Sequence, residues 1–523
     1  MNARLDDLMH AMSDPTIYPH RPESVRVVQT HISIVFIAGD LVYKIKKPVD
    51  FGFLDFTTPE KRRHFCMREV LLNSRFSEGI YLDVVPIHRA GSKVNLRGEG
   101  KEIEAAVLMR RIPEECVLDT MLDNEKVTEE LLDRLGDRLA FLHSKAPGGP
   151  EITGYGSVEV VSQNLRENFD QTRRFIGLTI DGQTHEEISN RAFDWLESNR
   201  DLLRARMNNG FIRDCHGDLH LDHVVILNGI MLVDCIEFND RFRFSDTAAD
   251  LAFLLMDLDF RGFPAYGNRT ARRYAQASGD KQAGNLIGFY KSYRAFVRGK
   301  VNSFALEDEA LSGSAKSAAR EKARDYFRLA LASLKPPPPP SLIVMAGLSG
   351  SGKSYLSSRL GLRTGIEVIR SDVVRKQSVG VPIGEHRLDM YGQGIYTPNS
   401  TEQTYKLILE RAGGSLGQGE SVILDASFIR YKHRAAAREL ARKSGARLTL
   451  IECVVPGHIA HRRLDERMSE QNEPSDGRWE IFERQKSEFE AVRADEQGCL
   501  RRWDSTSDAN SFLTGFVRDL TSG

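Results

Sequence analysis

The run of small residues from Gly347 to Ser354 is the segment whose residue types and spacing point most directly to chemistry. It reads Gly-Leu-Ser-Gly-Ser-Gly-Lys-Ser and follows an apolar segment, Leu342-Ile-Val-Met-Ala346. Glycines let backbone N–H groups curve around phosphate oxygens, and a following helix N-terminus adds positive charge. In such a loop the lysine reaches the β- and γ-phosphates and the last serine coordinates Mg²⁺. The pattern predicts a nucleoside triphosphate site formed by Gly347, Ser349, Gly350, Ser351, Gly352, Lys353 and Ser354.

Two aspartates follow apolar segments downstream of this loop. Asp372 comes just after Ile366-Glu-Val-Ile369, and Asp425 ends the segment Val422-Ile-Leu424. The carboxyl ends of parallel strands face the ligand crevice of a sheet. There Asp372 could accept the proton of an attacking hydroxyl, and Asp425 could hold the magnesium shell. An aspartate after a strand is also a common helix cap, and both interpretations stay open.

Arg463 and Arg467 are four residues apart in His461-Arg-Arg-Leu-Asp-Glu-Arg467. This spacing places the two arginines on one face of a predicted helix. From that face they could close over a triphosphate and neutralise the charge of the transition state. A solvated basic face explains the same spacing.

A second candidate cluster lies in Cys215-His-Gly-Asp-Leu-His-Leu-Asp-His-Val224 and Leu232-Val-Asp-Cys-Ile-Glu-Phe238. A His-x-Asp loop, then apolar residues, then an aspartate that closes a strand, is the layout of a protein-kinase-like phosphotransferase. Asp218 would accept or orient a substrate hydroxyl, and Asp234 would bind magnesium between the phosphates. A transition-metal site is the other interpretation, and it would use His216, His220 and His223.

Two charged residues upstream fit the same layout. Lys44 ends a predicted strand, where it could hold the α- and β-phosphates. Glu69 lies in a predicted helix from Pro59 to Phe76, where it could pair with Lys44. Alone, each would be interpreted as a solvated surface charge. The presence of Asp218 and Asp234 in the same chain supports a role in nucleotide binding.

The elements that position these residues must form more than one domain, because a chain of 523 residues is longer than a single hydrophobic core supports. The formal net charge of −1 gives no general tendency toward nucleic acid or anionic membranes. The six cysteines lack the close spacing of a zinc site, which fits buried thiols in a reducing compartment. Neither a secretion signal nor a run of roughly 20 apolar residues is present, so we expect a cytoplasmic protein.

The clearest boundary is Lys335-Pro-Pro-Pro-Pro-Pro-Ser341. Five consecutive prolines cannot continue a helix and favour a stiff polyproline II segment. The run therefore predicts a semi-rigid linker, although a motif for a proline-binding partner is the other interpretation. We predict one domain at residues 1–334, a linker at 335–341 and a second domain at 342–523.

The two predicted domains differ in pattern. Residues from about 25 to 112 look strand-rich, with a hairpin turn at Ala38-Gly39-Asp40, and helical periodicity dominates from about 126 to 334. After the linker, four strand-like apolar runs alternate with helical segments, which predicts a parallel sheet with helices on both faces. The prediction is a multidomain chain: an N-terminal α+β protein-kinase-like bilobal fold and a C-terminal α/β P-loop NTPase domain.

Residues 341 to about 500 resemble the small P-loop kinases related to polynucleotide kinase, gluconate kinase and zeta-toxin-type kinases. The resemblance rests on Gly347–Ser354, Ser371-Asp372 with Arg375, Leu424-Asp425-Ala426, Arg463 with Arg467, and Ser475-Asp476. It implies that Asp372 activates the acceptor hydroxyl and that Arg375 contacts the substrate. It also implies that Arg463 and Arg467 clasp the phosphates.

Residues from about 25 to 330 resemble the aminoglycoside phosphotransferase-like family, on His216-Gly-Asp218, Asp234–Phe238 and Asp246–Leu251. That architecture serves kinases of choline, sugars and antibiotics, so it names no substrate. The sequence departs from the family in lacking a glycine-rich loop over the phosphates. It also has His223 where the family has a metal-binding asparagine, five residues after the catalytic aspartate. Because magnesium prefers hard oxygen donors, His223 and Asp234 predict a weak kinase, a kinase using another metal such as Mn²⁺, or a nucleotide-sensing pseudokinase.

Together these features predict an ATP-dependent phosphotransferase with two kinase-like modules that uses ATP and Mg²⁺. The acceptor would be a hydroxyl of a small molecule or of a nucleic acid. A small molecule is favoured, since the overall charge does not call for the basic, aromatic-lined groove of a nucleic-acid kinase. The alternative is a regulatory protein in which the N-terminal lobe senses a nucleotide or ligand and controls the C-terminal kinase.

Overall fold

The computed structural model describes residues 3–91, 93–96, 98, 100–308, 311–379, 397–467 and 479–522. The chain divides into two compact units. The first comprises Met1–Leu258 and Tyr266–Leu334, and the second comprises Asp259–Ala265 and Lys335–Gly523. Within the described ranges, no helix combines the length and the apolar character needed to cross a membrane.

The first unit contains a six-stranded antiparallel sheet in the order β1-β2-β3-β6-β4-β5. Ala38 pairs with Leu41 across a two-residue turn, and Gly39 there has a φ of 63°, a conformation that glycine adopts without steric cost. The strands of the sheet are β1 (Val25–Gln29), β2 (Ser33–Ala38), β3 (Leu41–Lys46), β4 (Tyr81–Ala90), β5 (Lys93–Asn95) and β6 (Lys101–Arg110).

Helices make up most of the rest of the first unit. They are α1 (Ala3–Met12), α2 (Pro59–Asn73), α3 (Leu118–Asp123), α4 (Glu129–Lys145), α5 (Pro150–Thr153), α6 (Val158–Thr172), α7 (Gly182–Ser198), α8 (Arg200–Asn208), α9 (Asp240–Arg243), α10 (Thr247–Phe260), α11 (Pro264–Ser278), α12 (Ala283–Phe304) and α13 (Gly313–Ala332). Helix α2 begins with Pro59 at its first position, after the capping side chain of Thr58. Its Cys66 packs with Tyr81 and Val107 of the sheet, which places one face of α2 against β4 and β6.

Two small antiparallel sheets position the loops of the first unit. One pairs β7 (Ile212–Asp214) with β10 (Phe244–Asp246), and the other is the hairpin of β8 (Val224–Ile226) and β9 (Ile230–Leu232). In this hairpin Val224 pairs with Leu232, and the Val233 N–H donates to the His223 carbonyl at 3.0 Å. The register therefore brings the residues before β8 beside the residues after β9.

The second unit contains a five-stranded parallel sheet in the order β12-β13-β11-β14-β15. Side chains alternate along the central strand β11: Leu342, Val344 and Ala346 enter one core, and Ile343 and Met345 enter the other. The elements are β11 (Ser341–Ala346), α14 (Lys353–Thr364), β12 (Glu367–Arg370), α15 (Ser371–Ser378), α16 (Pro398–Gly417), β13 (Val422–Asp425), α17 (Tyr431–Lys443), β14 (Arg447–Val454), α18 (Gly457–Arg467), α19 (Trp479–Glu488), β15 (Leu500–Asp504) and α20 (Ala509–Ser522).

The fold class predicted from the sequence is confirmed, and the differences are local. The four predicted strands after the linker are present, but the edge strand β15 was not predicted. Its segment, Leu500-Arg-Arg-Trp-Asp504, is mostly polar because an edge strand has only one neighbour to pack against. Ser341, which we placed in the linker, is buried at the first position of β11.

Candidate active sites

The loop between β11 and α14 has the backbone geometry of a phosphate cradle. Gly347, Gly350 and Gly352 have φ values of 140°, 76° and 89°, which side-chain-bearing residues rarely adopt. A Cβ atom on Gly347 would lie 2.5 Å from the carbonyl oxygen of Cys453, so only glycine fits there. Helix α14 begins at Lys353 and directs its N-terminal N–H groups into the loop. Backbone and helix thus combine into an anion site made from local sequence.

The polar groups beside this loop are a lysine, a hydroxyl and a carboxylate. Asp425 ends β13 and pairs in register with Met345 of β11, which puts its side chain next to the loop. Burial raises the pKa of Asp425, against the opposing effects of the Lys353 charge and a hydrogen bond from Ser354. The Lys353 ammonium donates to the Leu348 carbonyl at 2.8 Å. Hydroxyl and carboxylate oxygens are the hard donors that Mg²⁺ prefers, so Ser354 and Asp425 fit this ion.

Asp372 and Arg375 lie in the same cleft, which has a volume of about 470 Å³. Both residues are on α15, and the Arg375 guanidinium is 3.4 Å from the Asp372 carboxylate. Arg370, at the end of β12, lies 3.5 Å from Asp425. The carboxyl ends of β12 and β13 therefore bring Asp372 and Asp425 to one edge of the sheet, as expected for parallel strands.

The predicted arginine pair is only partly described. Arg463, on α18, donates from its two terminal nitrogens to Ser505, at 2.7 Å to the hydroxyl and 2.9 Å to the carbonyl oxygen. A Cβ atom on Gly350 would meet the Ala460 carbonyl oxygen of α18 at 3.1 Å, so this helix packs directly on the loop. The side chain of Arg467, like Ser475 and Asp476, lies outside the described residues.

In the first unit, Lys44 joins two carboxylates that lie far apart in the sequence. Its ammonium donates to Glu69 of α2 at 2.9 Å and to Asp234, after β9, at 2.6 Å. Burial alone would lower the pKa of Lys44, but the charges of Asp234 and Glu69 outweigh it and raise that pKa well above its usual range. The sheet, the helix and the hairpin thus converge on one ammonium group.

A second lysine extends this charge network. Lys46 follows Lys44 by two residues on β3, so both side chains are on the same face of the strand. The Lys46 ammonium donates to Glu69 at 2.7 Å and also bonds Glu237. Glu69 is fully buried, and the charges of both lysines lower its pKa although burial opposes them. Five charges that alternate in sign therefore hold β3, α2 and the segment after β9 together: Asp234, Lys44, Glu69, Lys46 and Glu237.

The backbone at Asp234 is unusual. Its φ is 60°, a left-handed conformation that few residues other than glycine adopt. The Asp234 N–H donates to the Tyr81 hydroxyl at 2.9 Å, and the next N–H, of Cys235, donates to the Asn73 side-chain oxygen at 2.8 Å. These bonds hold the turn and direct the Asp234 carboxylate toward Lys44. Positive φ at a residue other than glycine is often found at functional sites.

Buried carboxylates shape the loop that carries Asp218. Asp250 of α10 accepts the N–H groups of His216 at 3.0 Å and Gly217 at 2.8 Å. Asp257, also on α10, accepts the Leu221 N–H at 3.0 Å. The His216 ring donates from Nε2 to the Val233 carbonyl at 2.9 Å, and burial lowers the pKa of His216 to about 4. His216 is therefore a neutral support of the loop.

His223 lies between the two aspartates that the sequence singled out. Its Nδ1 donates to the Asp218 carbonyl at 2.8 Å, and its Nε2 is 3.6 Å from Asp234 Oδ2. His220 Nε2 lies 3.6 Å from Asp218 Oδ2, and the rings of His220 and His223 are 3.9 Å apart between centroids. An imidazole beside Asp234 is a poor magnesium ligand, so the residues at this position do not fit Mg²⁺ well.

Comparisons with known proteins agree with the two units. Residues 84–285 match the family model described as a phosphotransferase enzyme family, and residues 342–492 match the one described as an AAA domain. "Uncharacterized protein Rv2004c" of Mycobacterium tuberculosis (strain ATCC 25618 / H37Rv) is 32% identical over 432 residues, which are 82% of this chain and 83% of that protein. The chain belongs to the family of this mycobacterial protein. The predicted resemblance, a phosphotransferase-type kinase domain followed by a P-loop kinase domain, is confirmed, and it supports a kinase function.

Similarity to solved structures is partial. A choline/ethanolamine kinase family protein from Mesorhizobium loti is 13% identical and covers 63% of this chain and 99% of its own, with a TM-score of 0.37. A gluconokinase from Sinorhizobium meliloti 1021 is 19% identical and covers 35% of this chain and 92% of its own, with a TM-score of 0.25.

Several residues at the two sites were not predicted. Lys46 could have been found, because alternate residues of a strand share a face, and Glu237 lies inside a motif that the sequence had already singled out. Gln485 of α19 gives no such signal, although its side-chain oxygen accepts the Ser349 N–H of the phosphate loop at 2.7 Å. Contacts of this kind depend on how distant helices pack.

Proposed function

We propose that this family member is an ATP-dependent phosphotransferase whose C-terminal unit transfers a γ-phosphate to a hydroxyl of a small molecule. The observation that carries the proposal is the convergence of three elements on one cleft. The loop ending in Lys353 and Ser354 forms one wall, Asp425 lies beside it, and Asp372 shares the same cleft.

In the proposed reaction, the loop N–H groups and Lys353 bind the triphosphate. Mg²⁺ held by Ser354 and Asp425 would supply charge neutralisation when bound. Asp372 accepts the proton of the acceptor hydroxyl while that oxygen forms a bond to the γ-phosphorus. The bond between the γ-phosphorus and the bridging oxygen breaks, and ADP leaves with the electron pair. Arg375 lies 3.4 Å from Asp372 and could orient the acceptor.

Two features of the cleft favour a small-molecule acceptor over a nucleic acid. Its volume of about 470 Å³ is in the usual range for small-ligand sites. Several basic side chains around it pair with carboxylates: Arg430 bonds Glu488 at 2.9 Å, and Lys432 bonds Glu402. A nucleic-acid groove would instead need a continuous basic surface with stacking aromatic rings.

The N-terminal unit is the second proposed kinase module. Lys44 would hold phosphates, Glu69 would position Lys44, and Asp218 would act as the base. One observation favours the alternative, a lobe that senses a nucleotide or ligand and controls the C-terminal kinase. The imidazole of His223 occupies the space between Asp218 and Asp234, where magnesium would need an oxygen donor.

The test follows transfer from labelled ATP to a library of hydroxyl compounds, using the full chain. We expect an acceptor whose labelling is lost in Lys353→Ala and retained in Asp234→Ala. Lys406→Ala removes an exposed lysine of α16 and serves as the matched control. Labelling that persists in the Lys353→Ala/Asp234→Ala double variant would contradict the proposal. So would a screen in which no compound of the library is labelled. A metal-dependent transfer that survives Lys353→Ala but not Asp234→Ala would assign catalysis to the N-terminal unit.

A further inference from the structure

Asp218, His220 and His223 form a compact group of metal-binding side chains. Each offers one ligand atom, and these atoms lie within 4.8 Å of one another. Asp234 adjoins the group through His223, at 3.6 Å. We propose that this cluster is a binding site for a first-row transition-metal ion of the Zn²⁺ type, selected over magnesium.

The spacing of the atoms supports an ion between them. His220 Nε2 to Asp218 Oδ2 and His223 Nε2 to Asp234 Oδ2 are both 3.6 Å. An N–H···O hydrogen bond is about 2.7–3.2 Å long, so neither pair has direct hydrogen-bond geometry. Ligands that bind one tetrahedral ion at about 2.1 Å are separated by about 3.4 Å. Each pair separation is therefore compatible with two ligands of one ion, and the grouping of the Asp218, His220 and His223 ligand atoms within 4.8 Å is what places donors around a common point.

The orientation of His223 supports the same conclusion. A carbonyl oxygen can only accept, so the 2.8 Å contact with Asp218 places the proton on His223 Nδ1. In the neutral ring the lone pair is then on Nε2, the atom that faces Asp234 Oδ2. Histidine ligands of metals are commonly held this way, with the second nitrogen bonded to a carbonyl or carboxylate.

His220 and Asp234 complete the arrangement. His220 is 5% exposed, and its Nδ1 has no hydrogen-bond partner among the described residues, although Asp222 Oδ2 lies 3.6 Å away. Asp234 bonds Lys44 through Oδ1 and turns Oδ2 toward His223. The Asp218 and Asp234 carboxylates would offset the charge of a divalent ion, with Asp234 also paired to Lys44.

The donor set determines which ion is favoured. Imidazole suits zinc and its first-row neighbours, whereas magnesium requires hard oxygen ligands in near-octahedral geometry. The inference concerns the same N-terminal site as the proposed kinase module, but metal binding is measured without nucleotide or turnover. A chain that binds no Zn²⁺ would therefore contradict the metal site alone, and a chain that transfers no phosphate would contradict the phosphotransferase proposal alone.

The experiment titrates the untagged full chain with Zn²⁺ against a chromogenic chelator, in the presence of excess Mg²⁺. Co²⁺ replaces Zn²⁺ in a parallel series, because its visible absorption reports four-coordinate ligands. The variants are His220→Ala, His223→Ala and the more conservative His223→Asn. His31→Ala removes an exposed histidine of the same unit as the matched control, and Lys353→Ala leaves the N-terminal site intact. Thermal unfolding of each metal-free variant checks that the fold is retained.

We expect one equivalent of Zn²⁺ per chain to bind in wild type, His31→Ala and Lys353→Ala. His220→Ala and His223→Ala should weaken that binding by about 100-fold or more, and His223→Asn should do so without lowering the unfolding temperature of the metal-free protein. The absence of Zn²⁺ binding in excess Mg²⁺ would overturn the proposal. So would binding that the His220→Ala and His223→Asn variants retain unchanged.

Discussion

The two candidate sites of this chain are built in different ways. In the C-terminal unit the phosphate cradle comes from one continuous segment of eight residues, Gly347–Ser354, and from the backbone of that segment. In the N-terminal unit the central bond joins Lys44 to Asp234, which are 190 residues apart. A cradle made of backbone N–H groups has a recognisable local sequence. A network of paired side chains exists only after strands, helices and hairpin have packed together.

This difference predicts that charged side chains at the C-terminal site mainly bind the ligand, whereas those at the N-terminal site also stabilise the fold. Lys353 reaches from the start of a helix into a cleft, so its removal changes the ligand site more than the core. Lys46 is 1% exposed and bonds Glu69 and Glu237, so its removal takes the bonded cation from the buried Glu237 and leaves Glu69 with Lys44 alone. The following experiments separate these two uses of charge.

Lys353→Ala should have the largest effect on nucleotide binding. We expect ATP affinity and turnover at the C-terminal site to fall on the order of 10³-fold, because a charged phosphate contact is lost. The free energy of unfolding should stay within about 0.5 kcal/mol of wild type. Isothermal titration in an Asp234→Ala background measures the affinity, with Lys406→Ala as control. Unchanged affinity would refute the assignment of the loop.

Lys46→Met should mainly reduce stability. Removing one partner of a buried ion pair leaves the other charge uncompensated, which costs about 3–5 kcal/mol. Urea unfolding of the full chain, followed by a probe in the first unit, measures the loss. Lys61→Met is the matched control, since Lys61 pairs with Asp55 at the surface, where solvent screens the two charges and the pair contributes little to stability. If the two variants lose the same free energy of unfolding, the buried network stabilises the fold no more than a surface ion pair does.

Asp372→Asn tests the proposed base. We expect phosphoryl transfer by the C-terminal site to slow by roughly 10²-fold, with ATP affinity nearly unchanged, because the amide cannot accept the proton. Steady-state kinetics with saturating ATP measures the rate, and Asp519→Asn, at an exposed position of α20, is the control. A variant that loses ATP binding but keeps its rate at saturation would indicate a structural or metal-binding role for Asp372.

His223→Asn should have the smallest effect of the four substitutions, and it should raise activity where the others lower activity, binding or stability. In a Lys353→Ala background, we expect magnesium-supported activity of the N-terminal site to be weak and to rise by about tenfold, as an imidazole is replaced by an amide oxygen. Replacing Mg²⁺ by Mn²⁺ should raise the activity of the chain that retains His223. Transfer from labelled ATP measures both effects. Brisk activity with Mg²⁺ that His223→Asn lowers would show that the histidine is not an obstacle to catalysis.

Much of the fold could be predicted from patterns that repeat over many residues. Alternating apolar runs indicated the parallel sheet, and the polar turn at Gly39-Asp40 indicated the β2–β3 hairpin. The edge strand β15 was missed because its arginines resemble a loop. Long periodic segments carry a strong signal, whereas a short strand at the edge of a sheet takes its conformation from its neighbour.

For the candidate sites, the sequence alone determined the phosphate loop and singled out Asp218, His223 and Asp234 as a group. It could do so because glycine spacing and a compact aspartate–histidine motif constrain the backbone within a few residues. Only the tertiary structure decided that Lys46 and Glu237 join Lys44 and Glu69 in one buried network. It also decided that His220 lies 3.6 Å from Asp218 and that His223 lies 3.6 Å from Asp234. These contacts follow from the register of a hairpin and the packing of a helix on a sheet, which no local spacing specifies.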